Sequence, residues 1–289
     1  MSTKNNTTQL SPLITGLGAE RRIVMAAQKF AVTGDQYRDV SRKIREILRQ
    51  LDQRGGSSLD PKRVSEKLQE IIEPKGDCMA LEQAINILGQ SKVISDEQSA
   101  KSWERFPPIL AIIHYREKTL RQCAKENEKG QDWRLVYCHG LSLYQLREKC
   151  GIDWKNHQPC FHEDSDDWLK FEVDNWENQS FQAGYYLLDF IGQYGNISWD
   201  DQEVEITKRG KEYKRCPETI FTEAVFTIFM VNNGERIAED WWHWGLTKRS
   251  NGRRVFVGNF RKTGFYFSDA RDNEPSRYQR VVILRKFDY

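Results

Sequence analysis

The clearest alternation of apolar and polar positions lies near the C-terminal end of the chain, between Trp241 and Phe287. Short aromatic and β-branched runs in this stretch are separated by residues that favour turns: Trp241–Trp244, Val255–Phe260, Gly264–Phe267 and Val281–Leu284. This spacing is typical of short strands joined by tight connections. The sequence therefore predicts an antiparallel β-meander over this region.

An unusually apolar helix is predicted just before the meander, between Pro217 and Asn232. Proline suits the first helical position, and the Asn233-Gly234 pair is a typical helix stop. Apolar residues occupy nearly every side of the segment between them. The helix should therefore be buried, and we expect it to lie across the C-terminal sheet.

Shorter periodic segments predict the other elements of the C-terminal half. Ser198 and Asp201 are spaced as a capping pair, so a helix should run from Trp199 to about Arg209. A short strand, a helix ended by Gly151 and a longer strand are expected before it: Arg134–Tyr137, Leu141–Cys150 and Ala183–Phe190.

The N-terminal half has helical periodicity instead, with apolar residues recurring every three or four positions. Capping residues and prolines predict helices at about 37–51, from Pro61, after Asp77, from Ser95 and over about 109–128. Residues 1–19 are polar and without a period, which is typical of a flexible arm.

Together these patterns predict an α+β fold. A flexible arm (1–19) and a helical region (20–130) precede an α+β domain (131–289), in which a C-terminal antiparallel β-sheet packs against the buried helix. Of the 289 residues, 38% are hydrophobic and 12% are aromatic, which is enough for a substantial core.

Charge is distributed unevenly along the chain, although its net value is only +2. Residues 131–205 carry 5 basic and 15 acidic side chains, whereas residues 206–289 carry 17 basic and 10 acidic ones. The acidic middle region either binds a basic partner or a metal, or complements its basic neighbours within the fold.

Localisation is expected to be cytoplasmic. The first residues lack the apolar core of a signal peptide, and no run approaches the roughly 20 apolar residues of a membrane span. Six scattered cysteines in a chain of this length indicate reduced thiols.

A cluster of cysteine and histidine residues is the first candidate site. Cys138, His139, Cys150, His157, Cys160 and His162 fall within 25 residues. Zinc prefers four such nitrogen and sulfur ligands, but the paired Cys-x-x-Cys spacing of familiar zinc modules is absent. The candidate zinc ligands are Cys150, His157, Cys160 and His162, and the alternative is that the cysteines are small core residues and the histidines are exposed.

The second candidate is a basic, aromatic hairpin. Six basic residues and no acid lie between Lys248 and Ser268, and phenylalanines alternate among them. Such a surface could bind phosphates and stack bases, or its rings could form the core with the cations in solvent. The candidate nucleic-acid ligands are Lys248, Arg249, Arg253, Arg254, Phe256, Arg261 and Lys262.

Two stretches resemble known nucleic-acid-binding families. Val255–Phe260 and Lys262–Phe267 resemble the two strand signatures of RNA-recognition motifs, but only a hairpin turn separates them where that family has a helix and a strand. Leu141–Ile152 resembles the first helix and turn of a helix-turn-helix, but Pro159 and acidic residues occupy the place of the recognition helix. Neither resemblance assigns a residue a role.

Trp242 and Trp244 form the third candidate, since alternate residues of a strand share a face. They could form a platform for a sugar ring or a cation, or belong to a strand buried on both sides with His243 hydrogen-bonded.

Common enzyme motifs are missing from the sequence, including glycine-rich phosphate loops, Gly-x-Ser-x-Gly and His-Glu-x-x-His. The C-terminal part resembles bacterial proteins, which implies no activity. The leading hypothesis is a non-catalytic binding protein that takes nucleic acid through the hairpin. The alternatives are a metal-dependent enzyme or zinc-stabilised module built on residues 138–162, and a protein-interaction scaffold.

Overall fold

The computed structural model describes residues 79–105, 111–165 and 179–287, and all of them belong to one compact unit. The flexible arm and the helices predicted before residue 76 lie outside these residues. The described helices are α1 (Leu81–Leu88), α2 (Asp96–Ser102), α3 (Glu117–Asn127), α4 (Leu143–Cys150), α5 (Trp199–Arg209) and α6 (Glu218–Val231). Short 3₁₀ turns occupy Gln90–Lys92 and Glu163–Ser165.

Eight strands form one mixed sheet. They are β1 (Val93–Ile94), β2 (Trp133–Cys138), β3 (Gly184–Gln193), β4 (Tyr213–Arg215), β5 (Trp242–Lys248), β6 (Arg254–Arg261), β7 (Gly264–Ala270) and β8 (Gln279–Arg285). Their order is β1-β2-β3-β8-β5-β6-β7, with β4 paired to β8. The helices precede most of the strands, so the predicted α+β class is confirmed.

The predicted meander forms only in part. Strands β5, β6 and β7 are antiparallel neighbours, as expected, but β8 leaves the series and lies between β3 and β5. It runs parallel to β5, with Trp242 opposite Gln279. The connection from β7 to β8 packs against the turn before α5, where Asn196 N–H donates to Ser276 O at 3.0 Å. This longer connection between β7 and β8 replaces the short hairpin that the sequence suggested.

Helix α6 is the buried helix that the sequence predicted, because every residue from Glu218 to Ile228 is buried. It packs against β2, β5 and β6 on one face of the sheet. The opposite face of β2, β3 and β8 packs against apolar residues that include Leu120 of α3 and Ile206 of α5. Strands covered on both faces read as continuous apolar runs, which explains the composition of β8.

Two carboxylates of α6 are buried and bonded to the backbone of neighbouring segments. Glu223 accepts N–H groups from His139 and, at 2.7 Å, from Leu141, in the loop after β2. Glu218 accepts the N–H of Leu246 in β5 at 2.8 Å. Burial raises the pKa of Glu223 to about 7, and the backbone donors oppose that shift. These bonds fix the helix against the sheet.

Local capping signals place several helices where the sequence predicted them. The Ser198 side chain accepts the N–H of Asp201, and α5 has the predicted bounds. Helix α3 differs, because it begins at Glu117 rather than near residue 109. Ile113 instead pairs with Met79 in an isolated antiparallel bridge, so the backbone before α3 is extended.

The boundary predicted near residue 130 falls inside the compact unit. Strand β1 pairs in parallel with β2, and Val93 lies opposite Leu135. The segment from residue 79 onward therefore contributes to the same sheet as the C-terminal strands. In the described ranges, no helix is long and apolar enough to cross a membrane.

His243 joins three strands and is fully buried. Its Nε2–H donates to Cys216 O at 2.7 Å, and its Nδ1 accepts the N–H of Val282 at 3.1 Å. Both ring nitrogens are satisfied only in the neutral form. Burial is the main cause that lowers the pKa of His243 from 6.5 to about 3, and the nearby Arg215 adds to it.

We expect His243 to make the folded protein sensitive to acid. Between pH 6.5 and about 3 the unfolded chain binds a proton at His243 that the folded chain does not. The contribution of His243 to the free energy of unfolding therefore falls by about 1.4 kcal/mol per pH unit as the pH drops below 6.5. Urea unfolding across this range should show a correspondingly shallower pH dependence in His243→Gln. His157→Gln, on an exposed turn, is the control. Equal slopes of unfolding free energy against pH in wild type and His243→Gln would contradict the assignment of this acid sensitivity to His243.

Candidate functional site

The basic hairpin proposed as a nucleic-acid surface is largely neutralised within the chain. Arg249 Nη1 lies 2.8 Å from Asp269 Oδ2, and Arg253 Nε lies 2.7 Å from Asp269 Oδ1. Arg254 forms a two-point pair with Asp272 at 3.0 and 3.1 Å. The acid-free stretch of the sequence ends one residue before Asp269, so the partners lie just outside it.

The remaining hairpin cations divide into paired and unpaired groups. Lys248 Nζ lies 3.3 Å from the same Asp272, and Arg261 lies 3.1 Å from Asp240. Lys262 alone has no carboxylate within 4 Å in the described part of the chain. Five of the six basic candidates thus already have an acidic partner.

The aromatic residues of the hairpin are mostly core residues. Phe265 and Phe267 belong to the cluster that packs around α6. Phe256 points to the opposite face and is 9% exposed, beside the Trp242 ring at 4.9 Å. None of the three presents an open ring face that would suit base stacking at the hairpin.

The tryptophan platform is reduced to one partly exposed residue. Trp244 is fully buried, and Trp242 meets Phe256 and Tyr266 edge to face, with interplanar angles of 81° and 76°. Rings arranged in this way cover each other's faces. Trp242 and Trp244 therefore do not form a flat surface for a sugar.

The four candidate zinc ligands do not come together. Cys150 and Cys160 are buried thiols, His157 lies on an exposed turn, and His162 stacks on Tyr266 with ring centroids 3.7 Å apart. Across residues 79–105, 111–165 and 179–287, no group of three or more His, Cys, Asp or Glu side chains is placed to hold a metal ion. The helix-turn-helix resemblance also ends at α4, because residues 151–160 form turns instead of a second helix.

The two buried thiols should react slowly. Burial raises the pKa of Cys150 to about 12 and that of Cys160 to about 11, so both are protonated near neutral pH. Because the thiolate is the nucleophile, brief alkylation with iodoacetamide at mildly alkaline pH should label both at least about tenfold more slowly than in urea. Mass spectrometry of the digested protein reads each cysteine separately. Rapid labelling of both in the folded protein would show that the two thiols are exposed and ionised. The zinc hypothesis would then stand again.

An open groove lies between α2 and the C-terminal end of α6, with a volume of about 660 Å³. Its walls combine an apolar patch with amides, a hydroxyl, a lysine and a glycine, and they include no carboxylate. The lining residues are Gln98, Lys101, Ser102, Gln158, Phe229, Met230, Val231 and Gly234. This groove is a candidate site that sequence reasoning missed.

The α2 wall follows from a local capping box. Ser95 Oγ accepts the N–H of Gln98 at 3.1 Å, and Gln98 Oε1 accepts the N–H of Ser95 at 2.9 Å. A helix begun in this way places residues three and four positions apart on one side. Gln98, Lys101 and Ser102 consequently face the groove together.

The α6 wall forms where the central helix leaves the core. The helix ends at Val231, and Asn233 and Gly234 adopt positive φ values that turn the chain away. Phe229, which is buried on one side, is therefore partly exposed on the other. The same helix that organises the fold thus supplies the apolar floor of the groove.

Gln158 joins three segments at the mouth of the groove. Its Nε2 donates to Lys262 O at 2.9 Å and to Trp154 O at 3.2 Å, and its Oε1 accepts from Arg236 at 3.3 Å. Beside these bonds, Gly264 lets the start of β7 lie close to the segment after Gln158, because a Cβ there would lie 2.6 Å from the backbone of Phe161. The end of the β6–β7 hairpin is thereby held beside the groove.

Arg236 lies beneath this mouth with its guanidinium carbon 4.7 Å from the Phe229 ring centroid and 4.9 Å from that of Phe260. Burial lowers its pKa, and its Nε is buried without a hydrogen-bond partner in the described residues. In the same residues no carboxylate lies within 4 Å of Arg236, Lys101 or Lys262. Glu239 acts on Arg236 only from beyond that distance, so these three cations form no ion pair within the described residues.

A second, smaller cavity of about 410 Å³ has a different balance of charge. Its Arg209 lies 2.8 Å from Glu126 and 3.6 Å from the buried Asp189, and Lys208 pairs with Glu205 at 2.7 Å. Burial raises the pKa of Asp189. Most charges here satisfy one another, so this cavity favours no single class of ligand.

Comparison of the chain with family models, curated proteins and solved structures found no match.

Proposed function

We propose that this protein is a non-catalytic binding protein for a polyanion, which occupies the groove between α2 and the C-terminal end of α6. One observation carries the proposal: the groove has no carboxylate in its lining. Among the described residues, no carboxylate lies within 4 Å of the flanking Lys101, Arg236 or Lys262, and Glu239 acts on Arg236 only from farther away. The cations of the hairpin, by contrast, are paired with Asp269, Asp272 and Asp240.

The difference between paired and unpaired cations decides which surface attracts an anion. A phosphate at the hairpin must compete with a carboxylate already in contact, so little net attraction remains. A lysine without a carboxylate partner can contact a phosphate directly. The contact releases counterions, and this release strengthens binding most at low salt. Lys101 and Lys262 belong to this second class.

The groove chemistry supports binding rather than catalysis. The side chains that line it are amides, a hydroxyl, an amine and apolar groups, with neither a histidine nor a carboxylate to transfer protons. An apolar floor with a few polar groups at the rim is the usual composition of a ligand pocket, and about 660 Å³ lies within the usual size range.

Two double variants that remove equal charge should separate the surfaces. Inorganic polyphosphate is the probe, and calorimetry at about 50 mM and about 200 mM salt gives its affinity and salt dependence. Lys101→Ala/Lys262→Ala should weaken binding at low salt by about tenfold and lower the slope of log affinity against log salt by about two, or one for each lost contact.

Lys248→Ala/Arg253→Ala is the matched control, because it also removes two positive charges but at the neutralised hairpin. It should weaken binding by less than about threefold, since those cations are already paired. Equal losses in the two double variants would contradict the groove as the site. Absence of polyphosphate binding at the lower salt concentration would refute the proposed function as a whole.

A further inference from the structure

Exposed rings accompany the cations around the groove. Trp154, in the turn after α4, is 40% exposed, and Lys155 Nζ lies 5.5 Å from its ring centroid. Phe229 is partly exposed on the groove floor. Gln158 links the two places, because it bonds the Trp154 carbonyl and also lines the groove.

Rings and cations are consequently neighbours on this surface. Lys101 and Phe229 line the groove, Arg236 lies over Phe229, and Gln158 connects Arg236 to the Lys262 backbone and to the Trp154 turn. Within the described ranges the Lys155 ammonium has no carboxylate within 4 Å, although Asp153 accepts the backbone N–H of Lys155 at 3.3 Å. A polyphosphate chain would use the cations but would leave the exposed Trp154 ring without a stacking partner.

A single strand of nucleic acid matches both features. Its phosphates are spaced along a flexible backbone, and its unpaired bases present flat faces that stack on aromatic rings regardless of sequence. A duplex hides those faces, and an acidic peptide supplies charges without flat rings.

The Gln98 amide adds a free donor for a base edge, because its Oε1 is already bonded to Ser95 and its Nε2 has no acceptor in the described residues.

We infer that the groove and the adjoining Trp154 turn bind single-stranded nucleic acid, with a base stacked on the exposed Trp154 ring, apolar contact at the partly exposed Phe229, and phosphates on Lys101, Arg236 and Lys262. This inference rests on the proposed function, since it names the polyanion that the same groove takes. It differs from the hairpin hypothesis in both the surface and the residues.

Ring variants test the inference separately from the charges. Fluorescence anisotropy with labelled oligothymidylate should show that Trp154→Ala weakens binding by about fivefold or more, whereas Trp154→Phe retains most of the affinity. Phe229→Leu, which keeps an apolar side chain in the floor, should have a smaller effect of the same sign. Tyr278→Ala removes an exposed ring elsewhere and should leave the affinity unchanged.

The affinity for polyphosphate is the internal reference. It should be the same in wild type, Trp154→Ala and Phe229→Leu, because that ligand has no base to stack. The affinity for oligouridylate of equal length shows whether RNA or DNA binds more tightly. A duplex of the same sequence content should bind more weakly than either single strand.

Failure of the inference and failure of the proposed function give different results. If polyphosphate, duplex and single strand bind equally well and no ring variant changes the oligonucleotide affinity, the inference is wrong while polyanion binding stands. If poly-glutamate binds more tightly than the oligonucleotides, the partner is an acidic protein segment and the inference is overturned. If no polyanion binds, the proposed function itself fails.

Discussion

The structure depends on the burial of a helix that carries two carboxylates. Helix α6 is enclosed on all sides from Glu218 to Ile228, so Glu218 and Glu223 must find hydrogen-bond donors inside the protein. An unpaired buried charge costs several kcal/mol, which is comparable to the whole stability of a domain. Backbone N–H groups of the loop after β2 and of β5 meet that need, and each fixes the helix at one position along the sheet.

The candidate binding groove follows from that constraint. With its buried segment held in place, α6 can emerge from the core only at its last turn, where Phe229 and Val231 become part of the groove. Helix α2 reaches the same place because Trp103, directly after it, donates its ring N–H to Thr227 of α6 at 2.9 Å. The groove is thus a consequence of the core rather than an addition to it.

Charge along the sequence was a poor guide to charge on the surface. The hairpin contains the densest acid-free run of cations, yet Asp269 and Asp272 neutralise most of it from β7 and the residues after it. Within the described residues, the groove cations that form no ion pair come from three distant segments, around residues 101, 236 and 262. Only the fold brings them together, so no window of the sequence displays them.

Features set by neighbouring residues could be predicted from the sequence. The capped helix α5, the apolar helix α6 and strands β5 to β7 follow from caps, turns and periodicity, which act over a few residues. The insertion of β8 between β3 and β5 could not be predicted, because β-branched residues suit either neighbour. The zinc hypothesis failed to gain support for a related reason, since proximity in sequence does not bring ligands together in space.

Hydrogen–deuterium exchange with and without a single-stranded oligonucleotide locates the bound surface without any substitution. If the oligonucleotide lies in the groove, exchange should slow on binding in peptides covering residues 98–102, 154–158 and 229–236 and stay unchanged in residues 248–256. Protection confined to residues 248–256, with the groove peptides unchanged, would show that the hairpin is the binding surface and would refute binding at the groove.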